Sequence, residues 1–212
     1  MMSGDFINRE SFSSFQQLWS LDKVKAMRLN EYTGIGGKKR NDFTYAIAYK
    51  KEFKNLVPIV GHNSSNFGIY RHSENNKKGD ISCEYLDGYA WLKRYGQDKD
   101  KAFEKIKSSI IQIIEYSQTN QLHQIDKVDL GHAYKWKIAF HYQNADDMKI
   151  VCIFNDKCLQ SIASGKNLGQ NLTTSQIYQK LLGNETYSLE KMIKEKARPL
   201  WNLYRYAIKE NK

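Results

Sequence analysis

Two prolines and three cysteines among 212 residues set the first limits. So little proline excludes an extended proline-rich linker or recognition array. Cys83, Cys152 and Cys158 cannot all pair, and their spacing matches neither a paired-cysteine zinc site nor a redox motif, so they read as reduced packing residues. No run approaches the roughly 18 to 20 consecutive apolar residues that a bilayer crossing demands, so no membrane partner is expected. The start MMSGDFINRE lacks a basic stretch followed by an apolar block, and a cytoplasmic location is the expectation.

The signatures of common catalysts are absent too. There is no phosphate loop ending in Lys and Ser or Thr, no HExxH and no GxSxG. The GIGG at 34–37 leads into an expected strand, whereas a phosphate loop leads into a helix. The five histidines, His62, His72, His123, His132 and His141, show no ligand spacing. No metal, no cofactor and no catalysis are expected from this inventory.

What is present is charge and aromatic surface. Lys and Arg number 33 against 23 Asp and Glu, a net charge of +10, which attracts polyanions. With 41% hydrophobic and 26% charged residues the composition is that of an ordinary globular protein, of a length that fits one large domain or two small ones.

The hydropathy pattern predicts an α+β chain. Apolar positions at helical intervals in 11–32 indicate one or two short helices. GIGGKKR (34–40) reads as a positive loop. FTYAIAYK (43–50) alternates Phe43, Tyr45, Ile47 and Tyr49 against small or polar partners and predicts a strand, with LVPIVG after it as a second and FGIYRH, beyond the polar turn 61–66, as a third. YAWLKRYG (89–96) predicts a further strand. From Asp100 to about Gln124, Phe103, Ile106, Ile110, Ile113 and Ile114 predict the longest helix, with Asp98 or Asp100 as its cap. YKWKIAFHY (134–142) and KIVCIF (149–154) predict a hairpin across NADD. TTSQIYQKLLG (173–183) is bounded by a cap and a Gly, and 188–210 is helical on both sides of Pro199, which kinks or divides it. The expected architecture is a curved, mostly antiparallel sheet, open or barrel-like, with a long packing helix. Residues 1–165 form the main domain and 166–212 a helical appendage packed on it.

The constellation that points to function is cations beside rings. Lys38, Lys39, Arg40, Lys50, Lys51 and Lys54 fall within residues 38–54, where Asp42 and Glu52 are the only acids. Such a stretch suits a phosphate backbone, because each phosphate neutralised releases counterions. Lys77, Lys78, Arg71, Lys93 and Arg94 extend the set. The turn His62, Asn63, Ser64, Ser65 and Asn66 carries groups able to hydrogen-bond base edges. With 14 tyrosines in the chain, Tyr45, Trp91 and Tyr95 are the candidates for stacking on a base, Trp91 foremost because Lys93 and Arg94 follow it. Trp136 is expected in the core. The acids Asp80, Glu84, Asp87, Asp146 and Asp147 read as solvated loop residues more than as a magnesium site.

The run LWSLDKVKAMRLNEYTGIGGKKRNDFTYAIAYK, the spaced FGIYRH and YAWLKRYG, then AFEKIKSSIIQII and IDKVDLGHAYKWKIAFHYQN, resembles the N-terminal region of McrB-type restriction ATPases over about residues 18 to 144, more loosely at IYQKLLG and LWNLY. In that family a variable N-terminal domain recognises DNA and an AAA+ motor follows. The resemblance implies a targeting domain for methylated or otherwise specific duplex sites, working through the motor with a McrC-like nuclease. The 212 residues carry no Walker motifs, so an excised domain or a stand-alone relative is expected and no GTPase or nuclease role transfers. The family's N-terminal domains differ widely, and no individual base-reading residue carries over. The expected function is therefore double-stranded DNA binding without chemistry. The competing readings are a metal-dependent nuclease and a basic protein-interaction domain.

Overall fold

Helix α5, Lys99–Gln118, is the longest element, and its buried Phe103, Ile106, Ile110, Ile113 and Ile114 form the apolar stripe that its sequence spacing requires. The Asp98 carboxylate accepts the Lys101 N–H at 2.8 Å and satisfies one orphan donor of the first turn. The computed structural model describes residues 8–34, 41–49, 64–72 and 81–210. GIGGKKR beyond its first glycine and the expected strand LVPIVG lie outside those residues.

Three helices, rather than one or two, open the described chain: α1 Arg9–Leu18, α2 Leu21–Ala26 and α3 Leu29–Tyr32. Asn8 and Ser20 cap the first two, each accepting a backbone N–H of its first turn. Phe12, Phe15, Val24 and Tyr32 are the residues they bury.

The sheet is smaller than expected. Strands β1 Ile69–Arg71, β2 Cys83–Leu86 and β3 Tyr89–Leu92 pair antiparallel in the order β1-β3-β2, so the described sheet is open and not a barrel. Ile69 faces Trp91 across one ladder and Cys83 faces Leu92 across the other. Asp87 and Gly88 join β2 to β3 with positive φ at both positions, 51° and 73°. That is the hairpin turn whose twist matches the strands, and Asp-Gly is its sequence signal. YAWLKRYG is a strand only to Leu92; Lys93–Tyr95 is a 3-10 turn.

Two expected strands are helices. FTYAIAYK forms α4, Phe43–Ala48, capped by Asp42, whose carboxylate accepts the Tyr45 N–H at 2.9 Å. YKWKIAFHY lies in α7, His132–His141. The alternation misled because the intervening residues are not solvent-facing: Lys135, Lys137, Ala139 and His141 are buried along with Trp136, Ile138 and Phe140. A helix enclosed on all sides loses its polar face and with it the 3.6-residue signal. Lys135 is accommodated because its ammonium donates to the carbonyls of Asp126 at 2.8 Å and Val128 at 3.0 Å. KIVCIF forms no hairpin with α7; Ile150 to Phe154 run buried through the core, and the Tyr178 hydroxyl donates to Ile153 O at 2.8 Å. Trp136 is in the core as expected, edge-on to Tyr178 at 5.2 Å.

Between α5 and α7 lies the short α6, Leu122–Ile125. Helix α8, Asp156–Gly165, which the pattern reading passed over, is capped by Asn155 and buries Leu159, Ile162 and Ala163 at helical spacing. Helix α9, Thr174–Leu182, starts at a reciprocal Thr173/Gln176 cap and ends at Gly183. After α10, Leu189–Lys191, the chain widens into a π turn at Met192–Ala197 and continues as α11, Arg198–Glu210. Pro199 has no N–H and its ring crowds the carbonyl four residues back, so the wide turn beside it is where the helix absorbs that conflict. Ile177, Tyr178, Leu182 and Leu189 belong to the same contiguous buried cluster as Phe12 and Ile110. All three cysteines are buried and free.

Candidate nucleic-acid interface

The change of α4 from strand to helix decides which of its rings are outside. In a strand, Phe43, Tyr45, Ile47 and Tyr49 share one face; in a helix, residues four apart share a face instead. Phe43 and Ile47 point into the core, each at most 1% exposed. Tyr45 and Tyr49 point the other way, and their rings stack with centroids 6.0 Å apart and planes at 28°. Tyr45 is half-buried and Tyr49 is 47% exposed. In sequence this pair stands between Lys38, Lys39 and Arg40 on one side and Lys50, Lys51 and Lys54 on the other. Tyr49 was missed by sequence reasoning, and its i, i+4 spacing from Tyr45 was the signal available.

A second group gathers at one end of the sheet. Ser64, Ser65 and Asn66 form a 3-10 turn with Phe67. Gly68 follows at φ +79°, where a Cβ would stand 2.6 Å from Ile106 Cδ1, so only glycine lets the turn approach α5. Asn66 abuts Gly131, where a Cβ would meet the Asn66 carbonyl at 2.4 Å. The Tyr95 hydroxyl donates to Asp129 O at 3.2 Å and accepts from Arg94 Nη2 at 3.0 Å. Burial raises the Tyr95 phenol pKa against the pull of the Arg94 guanidinium. Lys105 donates to Arg94 O at 2.9 Å. The turn, Arg94 and Lys105 are thus tied to one framework of α5, Tyr95 and the loop before α7.

The cations of this end are engaged. Lys93 pairs with Glu84 at 3.4 Å, which places Glu84 on strand β2 and not in a loop, and Arg94 pairs with Asp129 at 3.4 Å. These side chains are each about half exposed. Exposed pairs of this kind contribute little to stability, so a phosphate can compete for either cation. Arg71 lies at the other end of β1, its guanidinium 4.7 Å above the Tyr89 ring centroid. Four residues of strand separate the partner position of Arg71, Tyr89, from Lys93, about 13 Å at the rise of a strand.

Trp91 and Tyr95 do not present their rings. Trp91 is 2% exposed, with its indole N–H donated to Gly96 O at 3.0 Å, and Tyr95 is 3% exposed. Both serve as core packing at the sheet end in this structure. Lys38, Lys39, Arg40, Lys50, Lys51, His62, Asn63, Lys77 and Lys78 lie outside the described residues. Among the described residues no group of three or more His, Cys, Asp or Glu is arranged to hold a metal ion, and no helix is long and apolar enough to cross a membrane. Comparison of the chain with protein-family models, with curated proteins and with solved structures gives no match.

Proposed function

We propose that this chain is a duplex-DNA-binding targeting domain, without catalysis of its own, of the kind that McrB-type restriction systems use to find specific or modified sites. The observation that carries the reading is the stacked Tyr45/Tyr49 pair turned away from the core on α4, between two sequence segments with six cations and, across 38–54, two acids. Exposed rings offer a sequence-tolerant stacking surface, and neighbouring cations supply the phosphate affinity. Arg94, Lys93 and Lys105, with the Ser64–Asn66 turn, provide a further set of donors. By the resemblance stated above, an AAA+ motor and a McrC-like nuclease are the proposed partners, and the proposed location is cytoplasmic.

The test is a mobility-shift series over salt with methylated and unmethylated random duplex pools. Replacing Lys38, Lys39 and Arg40 by Ala should weaken binding to all sequences alike and reduce the magnitude of the salt slope by about 2.7 if each neutralises one phosphate. No binding at low salt would overturn the proposal. Cleavage of labelled duplex in magnesium would replace it with the nuclease reading.

One observation favours the protein-interaction alternative. Ile81 is 93% exposed and Leu86 57% exposed on or beside β2, a strand whose described pairing is with β3 alone. An apolar strand edge is a surface for another chain. Retained partner capture by a Leu86→Lys variant, together with absent DNA binding, would argue against that edge.

A further inference from the structure

The net charge of +10 is not spread along the chain: residues 38–54 carry +4, residues 157–212 carry +6, and the remainder balances to zero. Within the second segment, 191–209 holds six cations against a single acid, Glu195. That is a denser excess than in 38–54, and it falls on one continuous helical run, α10, the π turn and α11, from Leu189 to Glu210. Two of the six cations are engaged by the fold: Lys191 pairs with Glu185 at 3.7 Å, and Lys196 donates to Leu181 O at 3.2 Å. Lys209 belongs to the last turn, whose carbonyls attract a cation of their own. Lys194, Arg198 and Arg205 remain.

The helix sorts its residues by face. Lys194 and Arg198, four apart across the wide turn, are both exposed, as is Asn202 four further on. Arg205 follows Arg198 by seven residues, about two turns, so its position falls on that same face. Leu200 is on the opposite side and 4% exposed, and Trp201 and Tyr204 are half-buried against the core with ring centroids 5.7 Å apart. Tyr204 lies close to Cys158 of α8. The apolar side of α11 is thus packed on α8, and Lys194, Arg198 and Asn202 are left to solvent. Leu203, 57% exposed, is the one large apolar side chain among residues 198–204 that is open to water.

We infer that this face of the C-terminal helix is a second contact for the phosphate backbone of duplex DNA; the inference rests on the DNA-binding reading above and adds a surface which that reading does not use. Charge complementarity selects a polyanion. A bilayer fits less well, because an interfacial helix buries its apolar side in lipid and here that side is already packed. From Lys194 to Arg205 the helix runs about 16 Å, eleven residues at 1.5 Å each, which exceeds the roughly 12 Å width of the major groove. The stripe therefore reaches phosphates on both sides of a groove. Contacts of this kind raise affinity for every sequence and fix the orientation of the chain on the duplex.

The experiment is a mobility-shift series over salt with methylated and unmethylated duplex and three forms of the full chain. These are the wild type, a neutralised variant with Lys194→Gln, Arg198→Gln and Arg205→Gln together, and a charge-preserving variant with Lys194→Arg, Arg198→Lys and Arg205→Lys. Neutralisation should reduce the magnitude of the salt slope by about 2.7, roughly 0.9 for each phosphate released, to the same extent on both duplexes. The reduction should add to that of the Lys38, Lys39 and Arg40 replacement, and the charge-preserving variant should keep the wild-type slope. A wild-type slope in the neutralised variant overturns this inference and leaves the DNA-binding reading standing, whereas no wild-type binding at low salt overturns both. Equal loss in the two variants assigns the effect to packing and overturns the inference, as does co-sedimentation with phosphatidylserine vesicles in place of DNA binding.

Discussion

Lys137 should make this protein more stable in mild alkali than at neutral pH. It sits on α7 at 2% exposure, and burial alone lowers its pKa from the ordinary 10.5 to about 7. No opposite charge is among the causes of that shift. One turn on, His141 is fully buried against Phe15, with ring centroids 4.5 Å apart, and neither ring nitrogen has a hydrogen-bond partner. Burial, and then the charge of Lys137, hold its pKa well below the usual imidazole value. Both groups are bases with depressed folded-state pKa values, so the unfolded chain binds the extra protons and stability rises with pH through each window. For Lys137 the window runs from about 7 to 10.5; for His141 it lies below 6.5. A shift of that size for Lys137 corresponds to about 4 kcal/mol at pH 7, with 1.36 kcal/mol per pH unit. Lys137→Met keeps the aliphatic stem and removes the titration, so it should stabilise the fold at pH 7 by up to about 4 kcal/mol. It should also flatten the alkaline rise. Urea unfolding of both proteins at pH 6, 7, 8 and 9, below the range where the buried tyrosines and Cys158 oppose the trend, measures this. A wild-type stability that is level between pH 7 and 9, or a Met variant less stable than wild type at pH 7, would refute the reasoning.

Other outcomes follow from the geometry. Tyr45→Ala and Tyr49→Ala should each weaken DNA binding by about 1–3 kcal/mol, as removal of a stacking ring does, while circular dichroism stays unchanged; equal mobility shifts would remove α4 from the interface. Gly131→Ala should destabilise the fold by about 1–3 kcal/mol, because the new Cβ meets the Asn66 carbonyl at 2.4 Å, and thermal unfolding reports it. Ser117→Ala should cost about 1–2 kcal/mol by leaving the Ala139 carbonyl without the 2.6 Å bond from the buried hydroxyl, again read by thermal or urea unfolding. Native thiol titration should detect almost no reactive cysteine, since all three are buried and burial pushes the Cys158 thiol up to about 12, whereas denaturant should release three.

The sequence made legible those elements in which one face is wet. Helix α5 shows its stripe because its other side is exposed, and α9 is bracketed by Thr173 and Gly183, whose roles are local. Helix α7 was unreadable for the opposite reason: with Lys135, Lys137 and His141 taken inside, polarity no longer marked the surface. The short α4 was ambiguous because six residues satisfy both periods, and its Asp42 cap was the information that separated them. The same ambiguity governed the candidate site. Trp91 stood beside two cations in sequence, yet the strand ends at Leu92 and Lys93–Tyr95 is a 3-10 turn, so alternation does not carry Lys93 onto the face of Trp91, and the indole is buried. Tyr49 went unnoticed because alternation placed it with Phe43. The Asp87-Gly88 turn was readable and marks β2, which pattern matching on β3 alone did not find.

Gly34 stands against Asp42, so close that a Cβ there would lie 3.2 Å from the carboxylate. The seven intervening positions, 35–41, are therefore closed between two anchors that already touch. Swapping them for a longer or differently charged cassette leaves both anchors in place, and doubling the length adds only about 0.6 kcal/mol of closure entropy. A junction of this kind tolerates changes in length and charge between its anchors while Tyr32 and Phe43, on either side of it, stay in the core.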